Sequence, residues 1–500
     1  MLFNSWNFLA FFPVVVLMYC IIPKRIKALW LLVASYYFYM CWNPKYIVLI
    51  LFSTAATYLS GLGIDQINRR YSGQERKKKR LKKWIVTGCF TANLAVLCLF
   101  KYLDFFVQNI NALLEGTGFT ITNPFSFVLP VGISFFTFQA LGYIVDVYRG
   151  EITAEKNFIH YALFVSFFPQ LVAGPIERSK NLLAEIHDIP RKKMWDYERM
   201  TSGLIIMVYG LFLKMVVADR VSVLADGIFN DYQQYNVLGL WIGAGAFALQ
   251  IYCDFSGYST IAIGAARVMG FSLMENFDTP YFSRSIREFW RRWHISLSTW
   301  FRDYLYIPLG GNRCSRLRRH FNLMVTFLVS GIWHGAGWHF IVWGGLHGLY
   351  QIVGDLTKSC REKALCLMRI RPDSKIRKLF QTAMTALLVV VTWVFFRMES
   401  LPDALQYIRG MFLISSFHRT IAFQIFKFGK SEWIVLSAGT LIVFLTGLIK
   451  YNLHMNIDEF LKKRSTAVRW LLIYFLIFAV IIFGKYGPEY NPQAFIYFQF

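Results

Sequence analysis

The stretch SGIWHGAGWHFIVWGG, Ser330 to Gly345, holds two histidines and almost nothing else that can ionise. Its other residues are Gly, Ala, Trp, Ile, Val and Phe, with a single Ser. A titratable side chain inside a bilayer is expensive, so one placed there points to function. The reading turns on whether this segment lies in lipid, and on what a base there would act upon.

The flanks bear on the first point. A basic loop, Arg313 to His320, precedes the stretch, and Lys358, Arg361 and Lys363 follow it. Both ends therefore read as cytoplasmic. Phe321 to Val353 supplies 33 residues, whereas two full crossings need about forty. A short hairpin is predicted, turning at Trp333-His334-Gly335-Ala336-Gly337-Trp338. Helix from Phe321 to Trp333 rises roughly 18 Å against a hydrocarbon core of about 30 Å. His334 then sits inside the membrane, past the midplane. Gly331, Gly335 and Gly337 suit close backbone approach and a broken helix at that depth.

Composition supports the membrane reading. The 500 residues are 56% hydrophobic and 16% charged, with 48 Phe, and the mean hydropathy is +0.42. A soluble fold could not hide that much apolar surface, so the chain is read as an all-α polytopic membrane protein in contact with the lipid bilayer. The net charge of +24 comes in short clusters between apolar runs, as in cytoplasmic loops. No basic groove interleaved with aromatics appears, so no nucleic acid is expected. The eight cysteines show no C-x-x-C spacing; neither a zinc site, nor any other metal, nor a disulfide framework is predicted.

The charge clusters order the spans. Phe8–Ile22 reads as a retained span, with no basic residues before it and no cleavage site behind. Lys24-Arg25-Ile26-Lys27 and the run Arg69–Lys83 are placed inside, with spans near Lys27–Trp42 and Lys45–Leu62 between them. The N-terminus is therefore expected outside. Further spans are expected near Trp84–Val107, Phe125–Tyr148, Thr201–Val217, Leu238–Ile263, Phe380–Phe396, Trp433–Ile449 and Trp470–Ile482, about eleven in all. Phe158–Pro175, broken by Pro169, Gly174 and Pro175, reads as a re-entrant hairpin. Asn109–Asn123, Leu224–Asn236, Ser415–Glu432 and the tail after Gly484 read as short outer segments. No internal repeat or soluble domain is evident. The expectation is one membrane-embedded domain over residues 1–500, with a motif-bearing core at about 125–353.

An imidazole buried at such depth stays neutral and is ready to accept a proton. His334 is thus read as a general base, against the plainer reading of a packing histidine bonded to a carbonyl. His339 and His347, on the second arm, are read as structural. The second informative stretch is YFSRSIREFWRRWHISLSTWFRDYLYIPLGGNR, Tyr281 to Arg313. Ile286, Phe289, Trp290, Trp293, Leu297, Trp300 and Phe301 recur at a helical period, with Arg287, Arg291 and Arg292 opposite. This predicts an amphipathic helix at the cytoplasmic interface. The arginines are either an interfacial anchor or ligands for the phosphates of a nucleotide-bearing or phosphopantetheine donor, with Trp290 and Trp293 beside them. His294 falls on the apolar face. Asp303 either orients an imidazole or, more simply, pairs with Arg302. No nucleophile elbow, P-loop, H-E-x-x-H or dinucleotide fingerprint is present. An intramembrane base points to acyl transfer, in which an acceptor hydroxyl is deprotonated as it attacks a thioester. On the residues alone, a proton-coupled glycan or lipid exporter remains an alternative.

Four stretches in order resemble the membrane-bound O-acyltransferase family: LVAGPIERSKNL (Leu171–Leu182), DFSGYSTIAIGAARVMGF (Asp254–Phe271), NFDTPYFSRSIREFWRRWHISLSTWFRDYLYIPLGGNR (Asn276–Arg313) and WHGAGWHFIVWGGLHG (Trp333–Gly348). The resemblance implies that the hallmark histidine of the Trp-His-Gly motif falls on His334, with Trp333 beside it in the tunnel. The second implicated histidine, of the Arg-Trp-His-x-Ser-Leu-Ser motif, falls on His294. It implies a ring of helices thinned around a central tunnel, where a cytoplasmic donor meets an extracytoplasmic acceptor. The donor would be an acyl thioester, acetyl-CoA or an acyl-carrier protein, with no tightly bound cofactor. Tyr-Ile-Pro-Leu-Gly-Gly-Asn-Arg and Asp-Phe-Ser-Gly-Tyr-Ser resemble the branch that O-acetylates exported polysaccharides such as alginate. D-alanyl transfer to teichoic acid is the alternative within the family. The acetylating branch implies a bacterial inner-membrane location and an extracytoplasmic SGNH-like acetyltransferase as partner.

Overall fold

The computed structural model describes every residue except 124–128, 173, 370, 372, 414–428 and 487–500. Two expected outer segments, Ser415–Glu432 and the tail after Gly484, lie largely outside the described residues. Among the described residues the chain is helical, with no strand. It divides into two compact units: Met1–Leu204 with Ala262–Met274, and Ile205–Ile261 with Glu275–Phe500.

The first unit opens with α1 (Trp6–Ile21), α2 (Lys27–Met40), α3 (Ile47–Arg70), α4 (Glu75–Lys101) and α5 (Leu103–Leu113). α6 (Ile133–Arg149) packs against α3 and α4 and is buried almost throughout. Its Tyr143 ring lies directly over Gly61 of α3, where a Cβ would come within 2.8 Å of the hydroxyl. The stretch read as a re-entrant hairpin is a broken, protein-covered segment, α7 (Phe158–Ser166) then α8 (Phe168–Leu171). Tyr161 to Leu171 are all buried. Polar groups about the break find partners: the Phe168 N–H donates to Ser35 Oγ (3.1 Å), and Gln170 Nε2 to the Phe164 carbonyl (2.8 Å). Irregular backbone in an apolar surrounding needs such partners. α9 (Ser179–His187) follows. α10 (Tyr197–Leu211) then begins, and α12 (Val237–Val268) returns its last residues to this unit.

In the second unit α10 runs without a loop into a π-helical turn, Phe212–Ala218, and on into α11 (Asp219–Asn230). Leu224–Asn236, expected as a short outer segment, is mostly helical, with α11 reaching Asn230 and a 3-10 turn at Tyr232–Gln234. Asp219 and Arg220, the charges at the start of α11, are both buried and paired inside the protein. Lys214 contacts Asp219 (2.8 Å) and Asp254 (2.6 Å), and Arg220 pairs with Glu432. The π register brings residues five apart onto one side, as Lys214 and Asp219 require.

The rest of this unit comprises α13 (Ile286–Arg292), α14 (Ile295–Phe301), α15 (Arg316–His334), α16 (Trp338–Leu356), α17 (Lys358–Leu367), α18 (Lys375–Arg397), α19 (Leu401–Phe412), α20 (Lys430–Leu453), α21 (Ile457–Lys462) and α22 (Thr466–Phe483). Among the described residues seven helical stretches are long and apolar enough to cross a membrane: α3, α4, the continuous α10–α11, α12, α18, α20 and α22. α1 is a shorter apolar helix. Other expected spans fall on helices too short for that criterion, such as α2 and α6.

Candidate active site

α15 and α16 form the hairpin around Ser330–Gly345. Ser315 caps α15, accepting from the Arg318 N–H, and Gly335-Ala336-Gly337 makes the turn. Each arm has 19 residues, longer than expected because the polar turn Arg316–His320 continues the helix outward. The arms touch backbone to backbone. A Cβ on Gly331 would lie 2.3 Å from the Phe340 carbonyl oxygen, and one on Gly344 would lie 2.3 Å from that of Phe327. No larger residue fits either position, so these two glycines set the crossing that holds the turn.

His334 is the last residue of α15 and is buried. Three aromatic rings meet it edge-on: Trp333 and Trp343, each 4.9 Å between centroids, and Phe396 at 5.3 Å. Trp343 is fully buried and also touches Trp290, His347 and Trp393. The indole nitrogens of Trp343 and Trp290 are buried with no hydrogen-bond partner. They are donors in a box of aromatic and imidazole rings.

The expected continuous amphipathic helix is two helices. Ser285 caps α13, its Oγ accepting from the Glu288 N–H (3.1 Å), and the helix breaks after Arg292. His294 takes a left-handed conformation, φ 44°, before α14. A non-glycine residue held there costs about 1–2 kcal/mol. The break persists because the segment Asn276–Asp278 takes over the freed backbone groups. The Asp278 N–H donates to the Arg292 carbonyl (2.9 Å) and the Ile295 N–H to that of Asn276 (3.0 Å). Hydrophobic periodicity predicts the buried face but is blind to this interruption.

His294 is fully buried, against Phe255 (4.7 Å) and Trp333 (6.2 Å). Trp333 thus touches both imidazoles. Asn276 Oδ1 lies 3.1 Å from His294 Nδ1 and also accepts from the Ser296 N–H (3.2 Å) and hydroxyl (2.9 Å). A backbone N–H can only donate, so that Asn276 atom is the oxygen, and His294 Nδ1 carries the proton. Asn276 Nδ2 donates to Ser259 Oγ (3.0 Å). Burial holds the His294 pKa down to about 3, so the ring is neutral with Nε2 as its accepting nitrogen.

The remaining expected residues separate. Trp293 stacks on Phe289 (5.4 Å) and packs on Trp393, while Trp290 lies against Phe327 and Trp343. Both tryptophans are core. Arg287 and Arg291 are exposed. Arg292 is tied down by Glu288 (3.1 Å) and Asp278 (3.3 Å), and its guanidinium lies over Tyr451. Asp303 pairs with Arg302 Nε at 2.7 Å. The Thr392 hydroxyl donates to the Val389 carbonyl, so His347 Nε2, 3.1 Å away, is the donor to it. His339 packs on Phe340. Sequence reasoning did not single out Asn276, nor the buried trio Lys214, Asp219 and Asp254. A lysine in the middle of an apolar run was the visible signal for the latter.

The chain belongs to the membrane-bound O-acyltransferase family, whose sequence profile matches residues 149–401. It is accordingly an O-acyltransferase rather than an exporter. It is 36% identical to the probable alginate O-acetylase of Pseudomonas putida over the full length of both chains. To the peptidoglycan O-acetyltransferase of Helicobacter pylori it is 36% identical, covering 82% of this chain and 80% of that one. The teichoic acid D-alanyltransferase of Streptococcus thermophilus is 28% identical, over 62% of this chain and 74% of that one.

Proposed function

We propose that this enzyme moves an acetyl group from a cytoplasmic thioester, acetyl-CoA or an acyl-carrier protein, across the inner membrane for O-acetylation of an exported or cell-surface polysaccharide. The observation that carries the reading is His334 at the turn of a glycine-crossed hairpin, boxed by three aromatic rings. His334 takes the proton of an acceptor hydroxyl as its oxygen attacks the thioester carbonyl. The carbon–sulfur bond breaks, and the departing thiolate takes the proton back from the imidazolium. The Trp343 indole N–H is a donor available to the carbonyl oxygen as charge develops there. His294, held by Asn276, lines the donor side through Nε2. Arg287 and Arg291, exposed, are the arginines available to donor phosphates; Arg292 is already engaged.

Acetylation of a glycan is favoured by similarity to a probable alginate O-acetylase and a peptidoglycan O-acetyltransferase over most or all of the chain. D-alanyl transfer has the weaker and shorter likeness. A polysaccharide is bulky, and His334 is buried. The acetyl group is therefore passed to a small acceptor or to an SGNH-like partner docked on the outer face, which completes transfer to the glycan.

The test is reconstitution of the purified chain in vesicles, with radiolabelled acetyl donor on one side and soluble glycan on the other. Label should reach the glycan only when the partner is added. Efficient glycan acetylation by this chain alone would leave a single-subunit enzyme and remove the relay.

A further inference from the structure

The acyltransferase reading makes no use of a second group of titratable side chains, Glu155, His160 and His187, all in the first unit. Glu155 lies in the connection between α6 and α7 and is buried. Its backbone N–H donates to the Tyr143 hydroxyl (2.9 Å), and its Oε1 accepts from the Asn157 N–H (2.8 Å). Asn157 in turn caps α7, accepting from the N–H groups of Ile159 (2.9 Å) and His160 (3.4 Å). His160 is thereby fixed in the first turn. His187 is the last residue of α9, and its Nε2 lies 2.6 Å from Glu155 Oε2. The rings of His160 and His187 meet edge to face at 4.9 Å.

One ligand atom from each of the three residues lies within 4.8 Å of the other two. Among the described residues no lysine or arginine pairs with Glu155. A proton on His187 accounts for its contact with Glu155, but not for the third member. His160 Nδ1 is buried with no hydrogen-bond partner. The three residues stand in no compact metal-binding motif, and no metal is expected from their spacing alone.

We propose that Glu155, His160 and His187 bind one divalent transition-metal cation, with zinc the best match to two imidazoles and a carboxylate. Ligand atoms about 2.0–2.1 Å from a tetrahedral zinc stand about 3.4 Å apart. The group must therefore close slightly, and the half-exposed His187 is free to turn. Its exposure (52% of the side chain) also leaves room for water as a fourth ligand. The cation ties the end of α9 to the start of α7, which makes the site structural.

The test uses the full-length protein in detergent, stripped with EDTA and then titrated with zinc chloride by calorimetry. Bound zinc is counted by mass spectrometry after gel filtration. One zinc per chain is expected, with a rise in melting temperature. Glu155→Gln, His160→Ala and His187→Asn should each weaken binding by more than about tenfold and abolish that rise. His187 is exposed enough that its variant should keep the zinc-free melting temperature of the parent, which separates lost ligation from misfolding. No zinc uptake, or uptake unchanged in the His187→Asn variant, overturns the proposal.

Discussion

Asn276 accepts from His294 and from Ser296 through one oxygen, and that arrangement decides which nitrogen of His294 carries its proton. The residue that orients the ring comes from the segment that also bridges the break between α13 and α14. Backbone distortion and side-chain orientation therefore have a common source. His294 is positioned by a contact distant in sequence.

The pH dependence of stability follows from that burial. His294 titrates at about 3 in the folded protein and at about 6.5 when unfolded. Between those values the unfolded state binds the extra proton, so stability is full above about pH 6.5 and declines as pH falls toward 3. Melting temperatures in detergent should drop on acidification from pH 7 to 4.5. His294→Leu should flatten part of that drop, and an unchanged slope would mean the imidazole is not the group responsible. Replacing Asn276 by Asp sets a carboxylate against the ring and should raise the His294 pKa, bringing an acid limb into the pH–rate profile.

Trp343→Phe separates the indole donor from the aromatic wall. The ring contacts to His334 and Phe396 survive in outline, but the N–H is lost. If that N–H stabilises the developing oxyanion, kcat should fall by about 10²–10³-fold with little change in KM. Wild-type kcat would assign Trp343 to packing alone.

Lys214 bridges two buried carboxylates, Asp219 and Asp254. Lys214→Met leaves both carboxylates buried without the cation between them. Breaking a buried pair by removing one partner costs about 3–5 kcal/mol. Thermal unfolding should show a large loss of stability for Lys214→Met. The triple replacement by neutral residues should recover much of it.

The hairpin was legible because chain length against bilayer thickness is a local count, and Gly331, Gly335 and Gly337 are visible in it. The second arm's contribution, Gly344 against Phe327, needed the fold. Periodicity identified the buried side of Ile286–Phe301 correctly, since Phe289, Trp293 and Leu297 are all core. It missed the interruption at His294, because what stabilises a left-handed residue there is Asn276–Asp278, outside the window. The helix that covers much of Leu224–Asn236 was likewise not legible in the sequence. The partners of the charges at the start of α11, Lys214 for Asp219 and Glu432 for Arg220, are visible only in the fold.

The central claim is that the imidazole of His334 moves the proton in acyl transfer. The most direct measurement is the rate of radiolabelled acetyl transfer by His334→Ala, in membranes matched to wild type for inserted protein and gel-filtration profile. Loss of a general base predicts a fall of about 10²–10⁴-fold, with the variant still stably inserted because the box of Trp333, Trp343 and Phe396 remains. A well-inserted His334→Ala protein that transfers acetyl at the wild-type rate would contradict the account.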